Sequence, residues 1–220
     1  MITYPSINQI IKAKQKTPWD FGNDILYSLC RDNFTHNQPD KTLAKVLFIG
    51  RIYATAVERR KNKEDEINDN FYIETVEPTF YKSDIDNWLQ NLNNMKEISM
   101  ETIPLILRAH YSLTTMLYNI THQNKRSFSS KYLHFHLPEL FFIYDSRALI
   151  GLRTFIHRVP KELKSSTVLD KIDQEYAKFF CKCFYLKQQI EKNYSISLTN
   201  REFDNILIEI ANNLLIKRTI

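Results

Sequence analysis

The sequence predicts a mostly α-helical globular domain, and three observations carry that expectation. Only three glycines, Gly22, Gly50 and Gly151, occur in 220 residues, too few for the tight turns of a many-stranded sheet. Long stretches rich in Leu, Ile, Lys, Asn and Glu suit helices and place apolar residues at helical spacing. The seven prolines stand at intervals that fit helix starts and stops, with few inside periodic stretches. With 43% apolar residues, 13% of all residues being aromatic, the chain can fill a core and is not expected to be disordered.

Taken in order, short helices are expected over residues 7–14 and 21–31. The clearest helix covers 41–63, where Leu43, Val46, Leu47, Gly50, Tyr53, Ala54 and Val57 keep helical spacing before the charged run from Glu58 begins. Further helices are expected over 85–92, 103–120, 128–137, 146–156, 168–193 and 200–217. Residues 70–81 are the least helical stretch, and 62–69 form a charged, Asn-containing connection. The chain therefore reads as one domain, with room for two lobes divided near residues 65–100.

The net charge of +5 and a pI near 9.0 favour an anionic partner, although the excess is spread along the chain. Cys30, Cys181 and Cys183 form neither a CxxC pair nor an even set, so no disulfide framework or zinc ribbon is expected and a reducing cytoplasm fits best. The first residues, Met1 to Pro5, lack the charged and apolar regions of a signal peptide, and no segment approaches about 18 uninterrupted apolar residues. A cytoplasmic protein with no membrane partner is expected. There is no Gly-rich phosphate loop, and no cofactor is called for; the oligomeric state is not legible.

The most informative block runs from Arg126 to Arg147. It reads as a basic, Ser-rich helix start, an amphipathic helix stopped by Pro138, an apolar run Leu140–Tyr144, and then Asp145 opening the next helix. Asp145 or Ser146 can cap that helix, and the same acid, set beside buried aromatics, can be held near a reacting centre. Lys131 and His134 share a helical face, whereas His134 and His136 diverge on a helix. No metal site is therefore expected there.

This block resembles the helix-hairpin-helix superfamily of base-excision DNA glycosylases, in which a hairpin and a helix lead to a hydrophobic run ending in an Asp that opens a helix. The run Phe142-Ile143-Tyr144-Asp145-Ser146, with Ala148 following, carries the likeness, which covers about residues 119–153. The family's Gly-rich hairpin is replaced by Asn119–Arg126, which has no glycine. Lys125 and Arg126 lie 20 and 19 residues before Asp145, where the family's lyase lysine falls, and Lys131 lies 14 before it. Only a lysine can form a Schiff base, because arginine stays protonated. The resemblance implies base flipping in DNA ahead of RNA, with Asp145 and Lys131 in the catalytic centre. Lys125 and Arg126 would meet phosphates, and Tyr132, Phe135 and Tyr144 would form the base pocket.

Two other blocks yield further expectations. Gly50 inside a helix costs about 1 kcal/mol relative to Ala, which implies close approach of another helix or a ligand. Arg51 and Glu58, seven apart, would share a face of that helix. Arg51, Arg59 and Arg60 form a candidate phosphate-contacting face, or else a basic end that complements the helix dipole. Polar groups in this helix, together with Trp19-Asp20-Phe21-Gly22-Asn23, point to a buried polar network. Finally, Arg31-Asp32-Asn33-Phe34-Thr35-His36 is similar to the Arg-polar-x-x-x-His motif of HEPN ribonucleases, which implies a dimeric RNA-cleaving enzyme using Arg31 and His36. A non-enzymatic helical interaction module is the third alternative.

Overall fold

The computed structural model describes residues 3–59 and 67–219, and every regular element among them is helical. The order is α1 (Ile7–Ala13), α2 (Pro18–Asp32), α3 (Pro39–Ile52), α4 (Asn68–Asn70), a π-helical turn (Phe71–Val76), α5 (Glu77–Tyr81), α6 (Ile85–Asn93), α7 (Ile103–Thr121), α8 (Arg126–His136) and α9 (Ser146–Phe155). Two 3-10 turns, Lys161–Leu163 and Ser165–Thr167, lead to α10 (Gln174–Tyr194) and α11 (Asn200–Thr219). No helix of the described residues is long and apolar enough to cross a membrane.

The helix starts follow side-chain capping chemistry. Ser6 and Gln9 form a capping box ahead of α1, and Thr17 with Asp20 does the same ahead of Pro18. Asp145 and Asp173 accept from the first free N–H groups of α9 and α10. The α10 cap is why that helix begins at Gln174 and not near 168; the preceding stretch is irregular and leaves Val168 exposed.

The expected helix over 41–63 ends early, at Ile52. Ala54 takes a left-handed φ of 52° and the Thr55 N–H donates back to Gly50 O at 2.7 Å, so the chain reverses and buries Ala56 and Val57. A Cβ on Gly50 would stand 3.2 Å from the Ala56 Cα. The closest approach that Gly50 permits is thus to its own returning chain, with the Phe128 ring of the later helix next at 3.5 Å. Arg51 and Glu58 still meet, at 3.3 Å, but through this reversal and not along a helical face.

The stretch expected to be least helical, 70–81, is helical almost throughout. Its widened turn buries Phe71, Tyr72 and Val76, and α5 adds Phe80; burial of four large side chains outweighs weak local propensity. These residues join the same connected core as Ile10 of α1, Leu113 of α7 and Ile206 of α11.

Two packing features position the candidate site. In α8 every residue from Phe128 to His136 is buried, because α2, α3 and α7 enclose it. Helices α9 and α11 cross so closely that a Cβ on Gly151 would lie 2.1 Å from Leu207 O; only glycine allows that contact.

Candidate active site

In the enclosed helix α8, Ser130 and His134 satisfy their polar groups by holding the segment that delivers Asp145, whereas Ser129 Oγ and His136 Nε2 have no hydrogen-bond partner. The His134 Nδ1 faces Phe141 O at 2.8 Å and its Nε2 faces the Tyr27 hydroxyl at 2.7 Å. A carbonyl can only accept, so Nδ1 carries the proton and Nε2 accepts from Tyr27. Burial depresses the His134 pKa to about 4, which keeps the ring neutral. Ser130 Oγ accepts from the Tyr144 N–H at 2.9 Å, and the Tyr176 hydroxyl donates to Phe142 O at 3.0 Å. The apolar run is thereby pinned at three points immediately before the acid.

The two carboxylate oxygens of Asp145 have separate tasks. Oδ1 accepts from the Ala148 N–H at 2.9 Å and caps α9, while Oδ2 lies 3.6 Å from the Lys131 ammonium. Lys131, 2% exposed, donates to Ser127 Oγ at 2.8 Å and sits 5.7 Å from the centre of the Tyr53 ring. Burial lowers its pKa against the pull of Asp145 and Asp204. Behind this pair, Asp204 of α11 meets Arg201 at 2.8 Å, yet burial outweighs the guanidinium and lifts the Asp204 carboxyl to about 7.

Tyr53 connects this buried charge cluster to a cavity of about 550 Å³. Its ring lines the cavity together with Trp19, Asn23, Arg147 and Arg201, and its hydroxyl donates to Asn23 Oδ1 at 2.6 Å. The end of the apolar helix α3 and the Trp19–Asn23 block thus meet in one polar contact at the cavity wall.

The other expected residues lie elsewhere. Lys125 is 7% exposed and turns inward, donating to Ala56 O at 3.1 Å and to Arg59 O; it fastens the chain reversal after α3 and does not stand at the surface where a phosphate would meet it. Arg126 is occupied by Asp173 at 2.8 Å and lies over the Tyr144 ring, beside a second cavity of about 430 Å³. Arg51 pairs with Glu58, and the exposed Arg59 reaches Ala54 O at 3.4 Å; Arg60 lies outside the described residues. Tyr132 and Phe135 are fully enclosed core residues, and neither they nor the half-buried Tyr144 line the larger cavity.

Arg31 and His36 are not brought together. Arg31 is exposed and bound to Asp32 and Ser28. His36 is buried between Asp86, at 2.5 Å from its Nδ1, and the Tyr132 hydroxyl, at 2.6 Å from its Nε2, with Lys45 at 3.4 Å. Among the described residues no cluster of three or more His, Cys, Asp and Glu side chains could hold a metal ion.

Sequence reasoning did not single out Arg201, Asp204 or Arg147. Arg201 and Asp204 lie three apart on α11, a spacing that reads as an ordinary surface ion pair; nothing local signals that α11 would press this pair against α9. No protein-family model matches the chain, and no curated protein or solved structure matches it either.

Proposed function

We propose that the protein hydrolyses the N-glycosidic bond of a nucleotide everted from DNA. The observation that carries this reading is the divided carboxylate of Asp145. One oxygen fixes its position by capping α9 and the other is left to an ammonium, one aromatic ring away from a cavity large enough for a base. The short turn between α7 and α8, where His122 takes a left-handed φ of 52°, supports the same reading, since it supplies the helix–turn–helix lead-in without glycine.

In the reaction the C1′–N bond breaks with its electron pair leaving on the base, and positive charge develops on the sugar. The Asp145 carboxylate stabilises that charge. Water then adds to C1′ and gives its proton to the carboxylate. Lys131 is a positioning residue in this scheme: enclosed by Ser127, Asp145 and the Tyr53 ring, it holds the carboxylate in place. The product is an abasic site, with no covalent enzyme–DNA intermediate.

The test is a panel of labelled duplexes carrying different damaged or mispaired bases, scored for abasic sites and, with borohydride, for trapped adducts. Asp145→Ser keeps a capping oxygen but leaves the buried Lys131 ammonium without its carboxylate, so it should abolish base release and lower the thermal midpoint while the protein stays folded at assay temperature. Asp145→Asn is the less clean variant, because its amide would face the Lys131 ammonium. Full activity in Asp145→Ser, or a trapped adduct dependent on Lys131, would sink the hydrolytic scheme.

A further inference from the structure

Cations occur all along the chain, but their excess over acids is not spread with them. From the first residue of α9 to the last of α10, residues 146–194, ten Lys and Arg face five Asp and Glu, a surplus equal to the net charge of the whole chain. Three of those acids are already held: Asp173 by Arg126, Glu175 by Lys178 and Glu191 by Lys187. Apart from Lys178 and Lys187, the eight other cations of the stretch have no ion pair among the described residues. The fold gathers several of them. His157, Arg158 and Lys161, all exposed, line a cavity of about 450 Å³ together with Tyr185 of α10, and Glu162 is the acid among the described residues that line it. Lys182 shares the α10 face of Tyr185, and burial together with the nearby Arg153 guanidinium of α9 lowers its pKa. Like charges gathered with so few acids repel one another, and an anion relieves that repulsion.

We infer that this face of α9 and α10 seats the phosphate backbone of a nucleic-acid duplex, with Arg153, Arg158, Lys161 and Lys182 as the phosphate contacts. The composition of the face separates a duplex from other anionic partners. A lipid surface calls for apolar side chains that insert, and a protein interface calls for an apolar or aromatic centre; Val168 is the one large hydrophobic side chain exposed in the stretch. Single strands are held on aromatic platforms that stack their bases, and the stretch exposes no aromatic ring, Tyr185 being half-buried. A duplex keeps its bases stacked inside and asks only for spaced cations. Arg153 lies in the last turn of the helix that Asp145 caps, about 12 Å along its axis, which is about four nucleotides of a strand. That the duplex is DNA rests on the base-excision reading; that it is met through its phosphates rests on the distribution of charge alone.

The probe is an undamaged, fluorophore-labelled DNA duplex of about 20 base pairs, long enough to cross the face, with binding followed by anisotropy at several salt concentrations. With four phosphate contacts, affinity should fall about a hundredfold between about 50 and 200 mM salt. Replacing Arg153, Arg158 and Lys161 together by Gln should reduce the log-log salt slope by about three, and Lys182→Gln alone by about one. A matched control removes the same charge elsewhere: Lys82→Gln, Lys96→Gln and Arg108→Gln together, also at exposed positions, should change the slope by less than about one. Salt-insensitive binding or none, equal losses in the two triple variants, tighter binding of a single strand of the same length, or preference for phosphatidylserine vesicles would each overturn the assignment. Base release from damaged duplexes is scored separately. Release at an unchanged kcat/KM in the Arg153, Arg158 and Lys161 variant would remove this surface and leave the excision reading. Duplex binding weakened only in that variant, with no base released from any duplex, would remove the excision reading and leave the surface standing.

Discussion

Asp204→Asn should flatten the pH dependence of stability between about pH 5 and pH 7. Burial raises the Asp204 carboxyl to about 7, against about 3.9 in an unfolded chain. A raised acid keeps its proton in the folded state after the unfolded chain has released its own, so its contribution to stability is lost as pH climbs from the lower value to the upper one. The slope approaches about 1.4 kcal/mol per pH unit, and the loss from about pH 5 to 7 comes to about 2 kcal/mol. The buried histidines act in the opposite sense. His110 and His134 are depressed to about 4 by burial, so their contribution falls as pH drops below about 6.5. Subtracting the variant's profile removes them. Asparagine keeps a carbonyl for Arg201 and carries no charge, which makes it the right reference. Urea unfolding at half-unit steps from about pH 5 to 8 gives the difference profile. It should fall by about 2 kcal/mol and level off above pH 7. A difference that stays flat or rises would mean that Arg201 holds Asp204 ionised throughout, and that ion pairing, not burial, governs this carboxyl.

Two glycines should respond oppositely to alanine. At Gly151 the added methyl would meet Leu207 O at 2.1 Å, and overpacking against backbone should cost about 3 kcal/mol or more in chemical denaturation; a change under about 1 kcal/mol would refute the close crossing. Gly22, inside α2 with open space for 4 Å around the position a methyl would take, should gain up to about 1 kcal/mol as alanine in the same assay. Tyr27→Phe leaves His134 Nε2 buried without a donor and should destabilise by about 1–3 kcal/mol; thermal melts matching the parent protein would show that the ring finds another partner.

Much of the fold was legible because helical periodicity and capping are local. The starts of α1, α9 and α11 fall where Ser6, Asp145 and the run from Asn200 place them. What was not legible was non-local. The early end of α3 depends on a reversal in which Gly50 receives Ala56, and no sequence pattern distinguishes that from a glycine facing a second helix. The helicity of 70–81 depends on burying Phe71, Tyr72, Val76 and Phe80 against the rest of the core. At the site, Lys131 and Asp145, expected together in one centre, do meet although 14 residues separate them, whereas Lys125 and Arg126, at the spacing of the family's lysine, are claimed by backbone carbonyls and by Asp173. The Trp19–Asn23 block and the polar positions around α3 were visible as candidates for a shared network, and Tyr53 with Asn23 joins them.

The enclosure of α8 ties the readiness of the site to the integrity of the whole molecule. Asp145 is aimed by contacts that run through Ser130 and His134 to Tyr144, Phe141 and Tyr27, and these depend on a helix whose residues are buried from Phe128 to His136. Loosening any one neighbour of α8 exposes buried polar groups and frees the acid's anchors at the same time. The carboxylate therefore has little scope for local disorder short of global opening. The Tyr144 amide proton, held by Ser130 Oγ, should then exchange only as fast as the entire domain unfolds, and thermal inactivation should coincide with the loss of helical signal instead of preceding it.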